Sequence, residues 1–221
     1  MYNDELIRTL SLLMIFTSVV AIEVRNLKVA TYSYMFQAIM IAALLFAYSV
    51  GNSALIYWGI TALVTKAILT PTFLLMAIRK TGHEEESPSI VGVVPSIIIS
   101  LIIVVVFYNL MMDHLNFMAP TYGAKHLVFR VNLAMGFTVF TLGLYGILTR
   151  RDALKTVIGL CLLENGVHLS LVSLAPTMRE TALAGIASEV VITVAMLLYI
   201  IVGIYEKFGS RDTFQLSELH W

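Results

Sequence analysis

The chain has 221 residues, 59% of them hydrophobic and 13% charged, with zero formal net charge and a mean hydropathy of +0.88. Soluble domains carry about 25% charged residues, so this composition excludes an ordinary soluble domain, and the lack of a basic excess excludes nucleic acid as a partner. The single cysteine, Cys161, excludes an intramolecular disulfide and a thiolate metal cluster within the chain.

A membrane span needs about 20 mostly apolar residues. Seven stretches qualify, at 5–24, 31–50, 53–78, 91–112, 127–149, 154–175 and 181–205. Their lengths and the absence of alternating polarity exclude a transmembrane barrel. The expected fold class is all-α, a polytopic transmembrane helix bundle of about seven spans. The opening Met1-Tyr-Asn-Asp-Glu has no basic region or cleavage site, so no removable signal peptide is expected. Gly51-Asn52 predicts a tight turn between the second and third spans. Arg79–Pro88 reads as a charged hinge, and Asp113–His126, with Pro120 and Gly123, as the loop that divides the chain. This gives a front four-helix group over 1–112, a rear three-helix group over 127–205 and a cytoplasmic tail over 206–221.

Loop charges set the expected orientation. Arg25, Lys28, Arg79, Lys80, Arg150, Arg151, Lys155, Lys207 and Arg211 fall on one side, nine in all, against four (Arg8, Lys125, Arg130 and Arg179) on the other. The N-terminus is therefore expected outside and the C-terminus in the cytoplasm.

Three spans carry ionisable residues far from their ends. Lys66 lies mid-way along the third, beside Thr65 and ahead of Thr70 and Pro71; the proline cannot donate to the Ala67 carbonyl, which loosens the helix one turn from the lysine. In the sixth, Cys161, Glu164, Asn165 and His168 are three, four and seven residues apart and form one polar stripe. In the seventh, Glu189 is followed one turn later by Thr193. An ionisable residue at the centre of a membrane helix costs roughly 2.5–3.5 kcal/mol on insertion scales, which points to function or a buried partner. Bland readings stand beside this one: Glu164 and His168 as a packing lock, Glu189 as a snorkelling end residue, and Lys66 as a simple counter-ion. Glu23 and Arg25 read as interfacial anchors, and Arg130 as reaching the headgroups.

Two central carboxylates and a Glu–His spacing of four do not match a di-iron bundle, which needs four carboxylates and two Glu-x-x-His pairs. No phosphate loop, nucleophile elbow, haem-attachment motif or second central histidine is present. No cofactor is expected in the chain itself. Proton chemistry remains, because buried Glu, His and Lys can load and release protons near neutral pH.

The run Gly159-Leu-Cys-Leu-Leu-Glu-Asn-Gly-Val-His168, together with Thr65-Lys66, Pro71 and Gln37, resembles the E component of hydrogenase-4, the formate hydrogenlyase type of membrane-bound hydrogenase. The rear three spans resemble, more distantly, the small three-helix K component of respiratory complex I and the C component of Mrp-type cation/proton antiporters, through Gly159 and Asn165. Glu189 matches the second intramembrane glutamate of the complex I component; its first would fall at Cys161, one turn from Glu164. The resemblance implies a multi-pass subunit of the cytoplasmic membrane, in the membrane arm of a group 4 nickel–iron hydrogenase. Its implied neighbours are antiporter-like and quinone-subunit-like proteins and the hydrogenase module. Nickel–iron and iron–sulfur centres would lie in those partners. Glu164, His168, Glu189 and Lys66 would form a proton relay, supported by Asn165, Thr65 and Thr193. The alternatives are a structural or assembly subunit and a component of a cation/proton antiporter.

Overall fold

The structure is a computed structural model and describes residues 4–49, 53–118, 127–174 and 180–216. Among these residues the chain is helical with no strand, and it forms α1 (Asp4–Glu23), α2 (Leu27–Tyr48), α3 (Ala54–Ala62), α4 (Thr70–Thr81), α5 (Val93–Met118), α6 (Leu127–Thr149), α7 (Ala153–Leu174), α8 (Glu180–Phe208) and α9 (Thr213–Leu216). A π-helical segment, Leu63–Leu69, joins α3 to α4, so seven continuous helices are long and apolar enough to cross a membrane. The expected Gly51-Asn52 turn lies outside the described residues, as does most of the expected dividing loop.

Several boundaries differ from expectation for local reasons. α2 starts at Leu27 because Asn26 caps it, its side-chain oxygen accepting from the amides of Lys28 (3.0 Å) and Val29 (3.1 Å). α5 runs through Asp113 to Met118 instead of stopping before the polar loop. α4 and α8 end where Gly82 and Gly209 take left-handed backbone, φ 70° and 71°.

The rear helices α6 and α7 pack backbone against backbone. A Cβ on Gly166 would stand 2.6 Å from the Gly136 carbonyl oxygen, and one on Gly143 would stand 2.8 Å from that of Gly159. Small residues allow this approach in a membrane, where hydrophobic attraction between helices is absent. In an open helix interior Gly→Ala gains up to about 1 kcal/mol. Here Gly166→Ala is expected to destabilise by about 1–3 kcal/mol through overpacking. Gly203→Ala, whose Cβ meets nothing within 4 Å, is the control, and unfolding midpoints in detergent distinguish the two. Asn132, on α6, adds a polar lock: it donates to the Leu169 carbonyl (3.1 Å) and Ser173 (2.7 Å) and accepts from Ser11 (3.0 Å). Arg130 turns inward and donates to the Met112 carbonyl at 3.2 Å.

One end of the bundle is closed by buried ion pairs. Arg150 donates to Glu23 (2.7 Å) and to Glu86 (2.9 Å). Glu23 also accepts from Ser96 (2.9 Å) and Ser100 (2.6 Å), so it is an interior residue and not the interfacial anchor that its place at a span end implies. Lys155 lies 3.5 Å from Glu86 and donates to the Val24 carbonyl. Asp152 caps α7 through the Leu154 amide (3.0 Å) and accepts from the Ser87 amide (3.1 Å). Its partner Arg211, at 3.2 Å, bonds Thr81 and the His83 carbonyl, each at 2.9 Å. The start of the tail is therefore strapped onto the bundle, and Arg150, Lys155 and Arg211, three of the cations counted on one side, are buried ion-pair partners.

Two carboxylates in the 82–92 loop respond oppositely to pH. Lys28 beside Glu84 holds that exposed carboxyl below its usual range. Its contribution is present above the unfolded value of about 4.3 and disappears as pH falls through the lowered one. Burial pushes the Glu86 carboxyl up, against the pull of Lys155 and Arg150. The stability contributed by its protonated form is complete below about pH 4.3 and lost as pH rises through the raised value. Acidification below about pH 4 is thus expected to lower hydrogen-exchange protection around Glu84 while the amides at Glu86 and Ser87 stay protected. Lys28→Ala should reproduce the first effect at neutral pH.

Candidate functional site

The π-helical segment presents Lys66 to the interior. Pro71 has no amide hydrogen for the Ala67 carbonyl, and the Thr70 amide instead reaches back five residues to the Thr65 carbonyl. Single π turns of this kind occur often at functional sites. The wider turn carries Lys66 into the bundle, where it is fully buried.

Its ammonium has three hydrogens and meets three acceptors. Lys66 Nζ lies 2.9 Å from Glu164 Oε1, donates to Asn165 Oδ1 at 2.9 Å, and contacts His168 Nδ1. With Nδ1 accepting from the ammonium, the imidazole proton is assigned to Nε2, which lies 3.4 Å from Glu164 Oε1. Trp58 packs edge-on against the His168 ring, with centroids 5.3 Å apart, and limits its rotation. The contacts of Glu164 are close in distance but off the line of regular hydrogen bonds. Neither carboxylate oxygen nor His168 Nε2 has such a bond among the described residues.

The polar chain continues away from the lysine. Asn165 Nδ2 donates to Gln37 Oε1 at 3.0 Å. Gln37 Nε2 donates to the Met14 carbonyl (3.0 Å) and to Ser18 (2.5 Å). Gln37, Ser18 and Asn165 are all fully buried. The Lys66 contact orients the Asn165 amide, and Asn165 in turn orients that of Gln37, so one row of donors runs from α7 through α2 to α1.

On the opposite side Glu164 faces a cavity of about 240 Å³ between α7 and α8, lined also by Cys161, His168, Glu189 and Thr193. Glu164 is mid-way along α7, and Glu189, the first residue of the apolar span Glu189–Phe208, shares its cavity. Glu189 is exposed, whereas the Glu164 side chain is only 16% exposed.

Lys66, Glu164, His168 and Asn165 are therefore in direct contact, and Glu189 and Thr193 share a cavity with Glu164. Thr65 stands apart: its hydroxyl bonds the Thr61 carbonyl at 2.7 Å, and only its backbone serves the site, through the π turn. Gln37 is the link that residue-by-residue reading leaves without a role, since a lone amide in a span gives no sign of its partner. Among the described residues no three of His, Cys, Asp and Glu gather as a metal site would require.

Residues 131–221 match the family described as NADH-ubiquinone/plastoquinone oxidoreductase chain 4L. The chain is 26% identical over 221 residues to hydrogenase-4 component E of Escherichia coli strain K12, covering 99% of each. It is 31% identical over 98 residues to NAD(P)H-quinone oxidoreductase subunit 4L of a Nostoc species, covering 42% of this chain and 97% of the relative. The equivalent Synechocystis protein is 28% identical over 102 residues, covering 43% of this chain and 99% of the relative. No solved structure gives a significant match. The rear helices that carry Glu164, Asn165, His168 and Glu189 thus establish that the chain belongs to the NADH-ubiquinone/plastoquinone oxidoreductase chain 4L family, within a sequence similar over its whole length to hydrogenase-4 component E.

Proposed function

We propose that the chain is a membrane-arm subunit of a complex I-related hydrogenase and that it moves protons laterally through Lys66, Glu164, His168 and Glu189. The observation that carries this reading is the buried contact of an ammonium, a carboxylate and an imidazole, with a second carboxylate on the same cavity. Ionised Glu164 takes the Nε2 proton of His168 as Nδ1 takes one from the Lys66 ammonium, and passes it across the cavity to Glu189; Lys66 is then reloaded with one proton. Lys66 stabilises Glu164 in its ionised form, and loading of the carboxylate weakens that pair. Asn165 and Gln37 hold the amide row toward α1, and Thr193 supplies a hydroxyl on the cavity wall. The hydrogenase module and the antiporter-like and quinone-subunit-like proteins are the neighbours in this reading, and nickel–iron and iron–sulfur chemistry belongs to them. The end closed by Arg150, Lys155 and Arg211 faces the cytoplasm in a cytoplasmic-membrane protein.

Glu164→Gln in the intact complex tests the proposal, since it keeps shape and removes the exchangeable charge. The expected result is an assembled complex that still evolves hydrogen from an artificial donor but acidifies or alkalinises sealed vesicles at least about 10²-fold more slowly. Unchanged pumping would sink the relay. Disassembly would assign Glu164 to a packing lock, in which its ion pair with Lys66 serves stability alone.

A further inference from the structure

A groove of about 840 Å³ runs between α4 and the last turns of α8, and its lining shares no residue with the cavity beside Glu164. Phe73, Met76 and Ala77 wall one side, and Leu198 and Val202 the other, so the surface is apolar along most of its length. Lys80 and Lys207 line it at one end. That end is common to both helices: α4 stops at Thr81 and α8 at Phe208, and Arg211, just beyond, bonds the Thr81 hydroxyl at 2.9 Å. Both lysines are exposed, and neither forms an ion pair among the described residues. Among the described residues Glu206 is the one acid lining the groove, and exposed Arg79 adjoins Lys80, so this end is net positive.

The lining runs along α8 from Ala195 to Phe208, about 20 Å at 1.5 Å per residue. A single leaflet contributes about 15 Å of a roughly 30 Å hydrocarbon core, so the groove spans one leaflet and reaches the headgroup layer. Lysine stems lie along apolar surface while their ammonium groups remain at the interface. We propose that this groove is a binding site for one anionic phospholipid, its acyl chain against Phe73 and Leu198 and its phosphate between Lys80 and Lys207. A basic pair over an apolar groove between membrane helices matches that chemistry better than a zwitterionic headgroup, which brings its own cation.

The test is native mass spectrometry and lipid extraction of the full-length protein, purified in mild detergent from membranes containing phosphatidylethanolamine and phosphatidylglycerol. The wild type should retain phosphatidylglycerol, and the Lys80→Gln/Lys207→Gln double variant should retain roughly tenfold less or lower still. Lys80→Arg/Lys207→Arg should retain it, which separates charge loss from misfolding. Gly203→Phe, at a groove position with open space at Cβ, should expel lipid of either kind. Equal retention in the double Gln variant overturns the site, as does preferential retention of phosphatidylethanolamine by the wild type. A partner helix crosslinking to Tyr199→Cys, on the groove rim, overturns it too.

Discussion

Lys66→Met is expected to destabilise the protein by about 3–5 kcal/mol, because it leaves a carboxylate in the membrane interior without its counter-charge. For a chain of this size that corresponds to a fall of roughly 6–20 °C in thermal midpoint. It also orphans the oxygen of Asn165 and Nδ1 of His168, both bonded to the ammonium. The informative comparison is the pair Lys66→Met with Glu164→Gln. If the charges act on each other, the double variant recovers most of the loss, because a neutral pair no longer carries a buried charge. Proton movement should remain absent in both, since neither retains an exchanging carboxylate held by a cation. Additive losses would mean that Lys66 is stabilised chiefly by Asn165 and His168, and that the carboxylate is an accessory contact.

Arg150→Gln is expected to have a comparable effect at the closed end. One guanidinium there spans Glu23 and Glu86, and its loss leaves Glu86 with Lys155 and Glu23 with no ion-pair partner among the described residues. A loss of about 3–5 kcal/mol follows from stranding buried carboxylates. Arg150→Lys should fall between the two, because a point charge reaches one carboxylate where the planar fork reaches both. Thermal midpoints in detergent measure the loss, and limited proteolysis in the 82–92 loop reports whether that segment has detached. Since no hydrogen bond or ion pair among the described residues joins this latch to the ionisable cluster, and Lys155 and Glu164 are about 14 Å apart along α7, hydrogen evolution and pumping per folded complex should be unchanged; a selective loss of pumping would connect the latch to the relay.

The candidate site was legible to the extent that residue type is costly in its setting. Lys66, Glu164 and His168 stand out in apolar spans, because a membrane helix does not hold an ionisable group without compensation. Pro71 likewise signals local loosening by chemistry alone, and the π turn lies beside it. Glu189 reads from sequence as either a relay group or a span end, and only the packing of α7 against α8 puts it on one cavity with Glu164. Gln37 and Thr65 show the converse. Both are polar and near the site in sequence logic, yet only Gln37 joins the network, because rotamer and helix rotation decide where an uncharged side chain finds its bond.

Glu23, Glu86, Arg150, Lys155, Asp152 and Arg211 could not have been assembled from sequence. Each lies in a loop or at a helix end, where a charge is solvated by default, and only the meeting of the 82–92 loop, the α6–α7 turn and the tail removes them from water. The glycines of α6 and α7 belong to the same class, since nothing local distinguishes a glycine that admits a neighbouring backbone from one with open space beside it. Hydropathy and span length by themselves determined the seven helices and the polar stripe on α7, because those follow from local transfer energies and the period of one helix. The tertiary structure alone decided which stripe faces Lys66, which charges pair and where the cavity opens, because those are set by the packing of helices distant in the chain.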